Sequence, residues 1–506
     1  MASHPARRLG HSPHWLGACV LLGLSVAVPH PAACQSNPAS PGPQEYVLAQ
    51  VKAGQVADLD GRADRELDAK WLENLLANGH HNAEISHEGV LISHALIRGR
   101  FSLAGAEIPF PVWLDNCAFT DDVDFSWGHF GRSLSLQNAN FEKGADLDHL
   151  HLEGDLVLRD AQFQKPLDVS GSNIGGELNG DGVKFLATDG LADFDSMQVA
   201  QGVRVLGAWF PGGVTFDHLK APFLLVGQNP PSRQSRTKIT NLSTPSLNVE
   251  NSTIHGELQI SYLDIGALLA DDLTVEGTAT ISNTNIANEV DLRQSHFSSL
   301  VVQAVSWPAS AERRQLAGLT FQYIAPAPWD RDNLKDDDWR KLLVVVEGSA
   351  YNPGAYQTLE TALRKEGHTE LADTTFTDMN EQAVRAADLG KQSWGKNVLM
   401  HYLIGYGRQP QYAFFWWIPV ILTGWLVFAR RSDVEPRDAK DKDRPYDAFW
   451  YSLDLFLPLT RLDAADVWMP RQSSWPRRYY ARLHATLGWI LVPIALAAVT
   501  GLISAK

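Results

Sequence analysis

Residues 97–141 read IRGRFSLAGAEIPFPVWLDNCAFTDDVDFSWGHFGRSLSLQNANF, and the spacing of their apolar side chains decides the fold. Ile97, Ile108, Phe119, Phe130 and Phe141 stand 11 residues apart, and Leu152, Phe163, Ile174 and Phe185 continue the series. Four residues after each of the first eight come Phe101, Val112, Val123, Leu134, Ala145, Leu156, Leu167 and Leu178. Two further on stand Leu103, Leu114, Phe125, Leu136, Leu147, Leu158 and Val169, and only Gly180 breaks the set. In a chain that is 44% hydrophobic overall, such regularity is not composition.

An apolar pair two residues apart is a strand alternation, because successive strand side chains point to opposite faces. A further regularity marks a corner. Ala95, Ala106, Cys117, Gly128, Ala139, Ala161 and Ser172, all small, lie two residues before the first apolar position. One 11-residue unit cannot bury its apolar face alone, whereas stacked units can. The expectation is a mainly β fold, a right-handed parallel β-helix with 11-residue half-repeats and a 22-residue coil.

The register slips after Phe185, and residues 228–246, with Pro230, Pro231, Arg233, Arg236 and Lys238, read as an exposed insertion. The period returns at Ile254, Ile265, Val275, Ile286 and Phe297, which places the β-solenoid at 85–303. Residues 35–84 read as an N-terminal linker with a capping helix at 65–78, since a solenoid end exposes strands that need cover.

Residues 1–34 read as a signal peptide: Arg7 and Arg8, an apolar run from Trp15 to Val28, then Ala32, Ala33 and Cys34. Cleavage after Cys34, retention as an anchor and lipidation of Cys34 are alternatives, and each places the next segment outside the cytoplasm. Residues 304–408 read as a linker and a helical hairpin opening at Pro353, with Tyr356, Leu359 and Leu363 on one face and Gly367 as a stop.

The uncharged stretches 409–429 and 483–505 read as transmembrane helices. The loop between them, 430–482, carries Arg430, Arg431, Arg437, Lys440, Lys442, Arg444, Arg461, Arg471, Arg477, Arg478 and Arg482, which places it in the cytoplasm. Within it, residues 446–459 (YDAFWYSLDLFLPL) read as an interfacial helix with Tyr446, Phe449, Trp450 and Tyr451 at headgroup depth. The expected location is a bacterial inner membrane with the solenoid on the periplasmic or extracytoplasmic side.

Net charge is −15, which argues against nucleic-acid binding. Three cysteines, Cys19, Cys34 and Cys117, form no C-x-x-C pair, so neither a disulfide framework nor a thiolate metal site is written. Gly405-Tyr406-Gly407 resembles a channel filter but precedes the first apolar stretch instead of lying between the two. His80, His81 and His87, and the pair His149 and His151 with Asp146, Asp148 and Asp155, have metal-ligand chemistry, but the repeat places His149 and His151 on a solvated exterior. The run Asp330, Asp332, Asp336, Asp337 and Asp338 lacks the glycine and glutamate of a calcium loop. Cys117 falls on the small corner position, a packing role instead of a nucleophile's. Asp447 and Asp454 lie in the apolar loop segment, where a carboxylate either faces water or handles ions. No residue set is assigned to catalysis, a cofactor or a metal.

Tyr351, Pro353, Tyr356, Leu359, Leu363, Arg364 and Gly367 match a YxPxxYxxLxxxLRxxG helix; GYGRQP comes next, then YSLDLFLPL, and Gly488, Trp489 and Leu491. Over residues 350–503 this resembles a group of bacterial repeat-domain membrane proteins, some of which are labelled membrane-associated oxidoreductase. The resemblance implies a membrane location and, through that label, redox chemistry. Pentapeptide-repeat proteins are similar only loosely, because the period here is 11. Taken together, the residues point to a non-enzymatic binding or scaffold protein for an envelope protein or polymer, with the lipid bilayer as a second partner. A membrane oxidoreductase and a small channel-like or transport assembly are the alternatives.

Overall fold

The structure is a computed structural model that describes residues 41–78, 85–228, 242–324, 336–386, 401–402, 405–407, 412–457 and 462–499. The signal-peptide reading of 1–34 lies outside them.

The 22-residue coil is present. His129 and Phe130 pair in parallel with His151 and Leu152, and these in turn with Asn173 and Ile174. Each early coil contributes four short strands, as in Glu107–Ile108, Val112–Asp115, Ala118–Phe119 and Val123–Asp124. The corners explain the small residues. Asn116, Trp127, Asn138, His149 and Asp160 all have positive φ, one such residue every 11 positions. The small residue comes directly after, and its N–H closes a turn: Ala139 donates to Leu136 O at 3.1 Å and Ala161 to Leu158 O at 3.0 Å. Asn and Asp tolerate this left-handed backbone better than most residues do.

Inside, Phe101, Phe119, Phe141, Phe163, Phe185 and Phe210 form a column of rings, consecutive centroids 4.6–6.0 Å apart. From about residue 220 the section changes. Strands lengthen to Lys220–Gly227, Thr253–Ser261, Thr274–Ser282 and His296–Gln303 on one side, and to Leu242–Asn248, Leu263–Leu269 and Asn285–Asp291 on the other. The ladder of the Phe column ends at Lys184–Phe185, so the later coils have two sheets.

The stack is longer than 85–303. Thr320–Tyr323 pairs with the His296–Gln303 strand, and before residue 85 Ala57–Asp58 and Glu66–Asp68 already pair with the coil above. The expected insertion is shorter than 228–246, because Leu242 to Asn248 are ladder residues; 229–241 lie outside the described residues. Helices α1 (Pro43–Ala53) and α2 (Ala69–Asn78) add Val47, Val51, Leu72 and Leu76 to the solenoid core at its first coil.

At the other end stand α3 (Asp336–Glu347) and the hairpin of α4 (Pro353–Lys365) and α5 (Thr369–Ala386). Asn352 caps α4, accepting the Gly354 N–H, and also donates to Leu316 O; Thr358 donates to Leu319 O. Tyr356, Leu359 and Leu363 are buried in the same core as the coils. The hairpin is therefore the solenoid's C-terminal cap, and Arg364 clasps its two helices through Glu360 (3.1 Å) and Asp373 (2.8 Å).

The C-terminal region holds α6 (Tyr412–Val427), α7 (Ala448–Phe456), α8 (Ala464–Val467) and α9 (Trp475–Val499). A short antiparallel pair, Val434–Pro436 with Trp468–Pro470, ties the intervening segment. The expected transmembrane helices are not borne out: among the described residues no helix is long and apolar enough to cross a membrane. Helix α6 has 16 residues; at 1.5 Å per residue it reaches about 24 Å, against a hydrocarbon core of about 30 Å. Helix α9 has 25 residues but spends its first turns on Arg477, Arg478 and Arg482. Residues 409–411 and 500–505 lie outside the described residues. With no span among the described residues, the excess of arginine in 430–482 does not orient the loop.

Candidate functional sites

Three groupings of side chains stand out, and each is built by the fold from residues far apart in sequence. The first is a carboxylate ladder on the solenoid. Asp124, Asp146, Asp168 and Asp193 occupy equivalent places on successive coils, and Thr215 and Asn248 continue the line. Asp146, Asp168 and Asp193 each accept the N–H two residues on, at 2.9–3.1 Å. Burial chiefly, and the charges of neighbouring aspartates, push the Asp146 and Asp193 carboxyls up, against the backbone hydrogen bond that each accepts.

Beside it, His149 lies flat on Trp127 (4.1 Å) with its Nδ1 2.9 Å from Asp148, while His151 sits 5.1 Å from His129. The two histidines of the His-x-His pair thus face different neighbours. His87 pairs with Glu88 on the surface, and His80 and His81 lie outside the described residues. Among the described residues no group of three or more His, Cys, Asp or Glu is placed to hold a metal ion. Of the acidic run, Asp336, Asp337 and Asp338 start α3, and Asp330 and Asp332 lie outside the described residues. Cys117 is buried at its corner, and burial pushes its thiol up to about 12.

The second grouping sits in the helical cap. Glu347 ends α3 and lies beside Asp378 of α5. Partial desolvation of the carboxyl first, then the neighbouring Asp378, pushes Glu347 up to about 7. Glu381, Arg385 and His401 surround the pair, and His401 Nδ1 is 2.8 Å from Glu381.

The third is the C-terminal region. His484 of α9 is fully buried; its Nε2 lies 2.9 Å from Ser452 O and 3.3 Å from Ser452 Oγ, and its Nδ1 3.4 Å from Tyr480 Oη. Ser452 donates its own proton to Ile421 O of α6, at 2.8 Å. The hydroxyl is committed to α6 and Nε2–H to the Ser452 carbonyl, so this pair is not a nucleophile with its base. It is a knot holding three helices, and burial lowers the imidazole's proton affinity.

Asp447 and Asp454 have defined roles. Asp447 Oδ1 caps α7, accepting N–H from Phe449 (2.8 Å) and Trp450 (3.2 Å). Asp454 accepts the Leu462 and Ala465 N–H groups and fastens the α8 turn. The interfacial reading of 446–459 needs revision, because Tyr451 is buried and Tyr446 donates to Phe428 O at 2.7 Å. Phe449 and Trp450 alone of the four aromatics stay exposed. Gly405–Gly407 forms a single turn with Tyr406 at positive φ, not a filter.

Between α7 and α8 opens a cavity of about 320 Å³ lined by Arg444, Asp447, Trp450, Asp463 and Trp468 among others. Of these, Arg444, Asp447 and Trp450 carry a signal in the sequence, Arg444 only as one of the cations of 430–482, whereas Asp463 and Trp468 belong to no local pattern. Outside it, α6 and α9 present large apolar side chains to solvent: Phe415, Ile418, Leu422 and Leu426 on one, Leu483, Trp489 and Ile490 on the other. No protein-family model, curated protein or solved structure matches this chain.

Proposed function

We propose that this protein is a non-enzymatic binding or scaffold β-solenoid that works at the surface of a lipid bilayer, on the extracytoplasmic side of a bacterial inner membrane. The observation that carries the bilayer half is the exposed apolar face of α6 and α9. Phe415, Ile418, Leu422 and Leu426 recur at spacings of three and four, so they share one side of α6, and Leu426 is 68% exposed. Trp489, at 63%, does the same on α9. A contiguous exposed apolar face of this kind suits an interaction site.

A bilayer suits the chemistry at one end of these helices. Trp475 and Tyr479 are exposed there beside Arg430, Arg431 and Arg478, the aromatic and cationic set that favours the headgroup layer. A helix too short to span still binds by lying in the interface. Export rests on the N-terminal sequence. The scaffold half rests on the long solenoid, whose side chains repeat at coil spacing and so suit an extended protein or polymer.

Vesicle flotation of the full chain tests this reading. The protein should rise with vesicles, and the double variant Leu422→Glu, Leu426→Glu should stay at the bottom with its β-rich circular dichroism intact. A wild-type chain that stays at the bottom with both neutral and anionic vesicles would overturn it.

A further inference from the structure

We infer that the cavity between α7 and α8 binds a zwitterionic phosphoammonium group, the headgroup chemistry of phosphoethanolamine and phosphocholine lipids. The inference deepens the bilayer reading above and rests on it for the source of the ligand, but the cavity's chemistry stands by itself.

The volume, about 320 Å³, falls at the lower end of small-ligand cavities, roughly 300–1,000 Å³. Its lining offers both halves of a zwitterion's complement. Asp447 uses Oδ1 to cap α7, and no hydrogen bond reaches its Oδ2 from the described residues. Asp463 stands before α8 with positive φ, and its side chain makes no capping bond to that helix. Neither carboxylate is therefore consumed by a cation within the described residues.

The aromatic surface is divided. Trp468 is buried and one face carries the Arg431 guanidinium at 3.8 Å from its centroid. Trp450 is 51% exposed and has no cation on it among the described residues, so it offers an open face at the cavity. An ammonium is attracted both to the face of an indole and to carboxylates beside it. Arg444, positioned by Asp441 at 3.1 Å, lines the same cavity and supplies a guanidinium for the phosphate.

The location agrees with a headgroup. The cavity belongs to the segment joining the end of α6 to the start of α9, where Arg477 bonds Val427 O and pairs with Asp433 at 2.9 Å. It thus lies at the polar end of the two helices whose flanks are apolar.

The test uses the full chain and soluble probes, so that it does not depend on a bilayer. Phosphocholine and phosphoethanolamine are titrated by ligand-observed NMR and calorimetry. Saturable binding is expected. The double variant Asp447→Asn, Asp463→Asn should weaken it at least tenfold while the fold is kept, because Asn both caps helices and tolerates positive φ. Arg444→Gln should weaken phosphocholine but leave tetramethylammonium binding unchanged. No saturable binding, or equal binding by the double variant, overturns the inference. Inorganic phosphate binding as tightly as phosphoethanolamine also overturns it, since the site would then read an anion alone. Flotation separates the two readings: soluble probes that bind while vesicles do not would leave the cavity's chemistry standing and remove the bilayer, and the reverse would remove only the cavity.

Discussion

The ring of Phe141 lies flat against that of Phe163, centroids 4.6 Å apart and planes 6° from parallel. The strand spacing of a parallel ladder, about 4.8 Å, dictates this separation, since each ring hangs from the equivalent residue of the next coil. The column from Phe119 to Phe185 is thus a direct consequence of a 22-residue coil with Phe at one position. It also concentrates much of the early core in a few side chains.

Removing one ring should therefore be severe. Phe141→Ala deletes a fully buried ring with neighbours on both faces, and should cost about 3–5 kcal/mol. Phe141→Leu should cost clearly less. Denaturant unfolding followed by far-UV circular dichroism checks both; equal losses for the two variants would argue against the column as a packed unit.

Glu347 sets a pH dependence of its own. Its folded value of about 7 lies above the ordinary 4.5, so between these the folded chain holds a proton that the unfolded chain has lost. Its contribution therefore falls as pH rises from about 4.5 to 7 and stays low beyond. Glu347→Gln should be more stable than the parent above pH 7 and converge with it near pH 4.5. Thermal midpoints across that range give the comparison, and a constant gap would sink the idea.

His484 works in the opposite direction. Burial keeps it neutral when folded, whereas the unfolded chain takes up a proton below about pH 6.5. Stability contributed here is present at higher pH and lost as pH falls. His484→Gln, which retains a donor toward Ser452 O, should weaken the acid sensitivity of the C-terminal helices, read as tryptophan fluorescence against pH.

Gly488 lets α9 touch α7. A Cβ there would run into the carbonyl oxygen of Phe456, so the helix backbones meet only if the residue has no side chain. Gly488→Ala should separate them and cost about 1–3 kcal/mol. Faster proteolysis confined to the C-terminal region, with the solenoid resistant, is the expected pattern.

What sequence alone determined is the part of the fold in which each residue repeats the task of another 11 positions away. Phe119, Phe141 and Phe163 announce a common column, and Asn116, Asn138 and Asp160 a common corner, because a local pattern repeated along the chain is also the pattern of contacts. The hairpin at Pro353 was legible for the same local reason, a cap, an apolar face and a stop.

Tertiary structure decided the rest. Leu242 to Asn248 carry too much proline and serine to read as ladder residues, yet two flanking strands hold them in register. The stretches 409–429 and 483–505 are apolar enough to suggest spans, but composition does not say where a helix stops or that His484 knots it to its neighbours. Arg444, Asp447, Trp450 and Asp463 line one cavity in a segment whose turn Asp454 fastens and whose strand pair ties its ends. Such a site depends on directions in space between segments without a repeat, and a one-dimensional pattern carries no record of them.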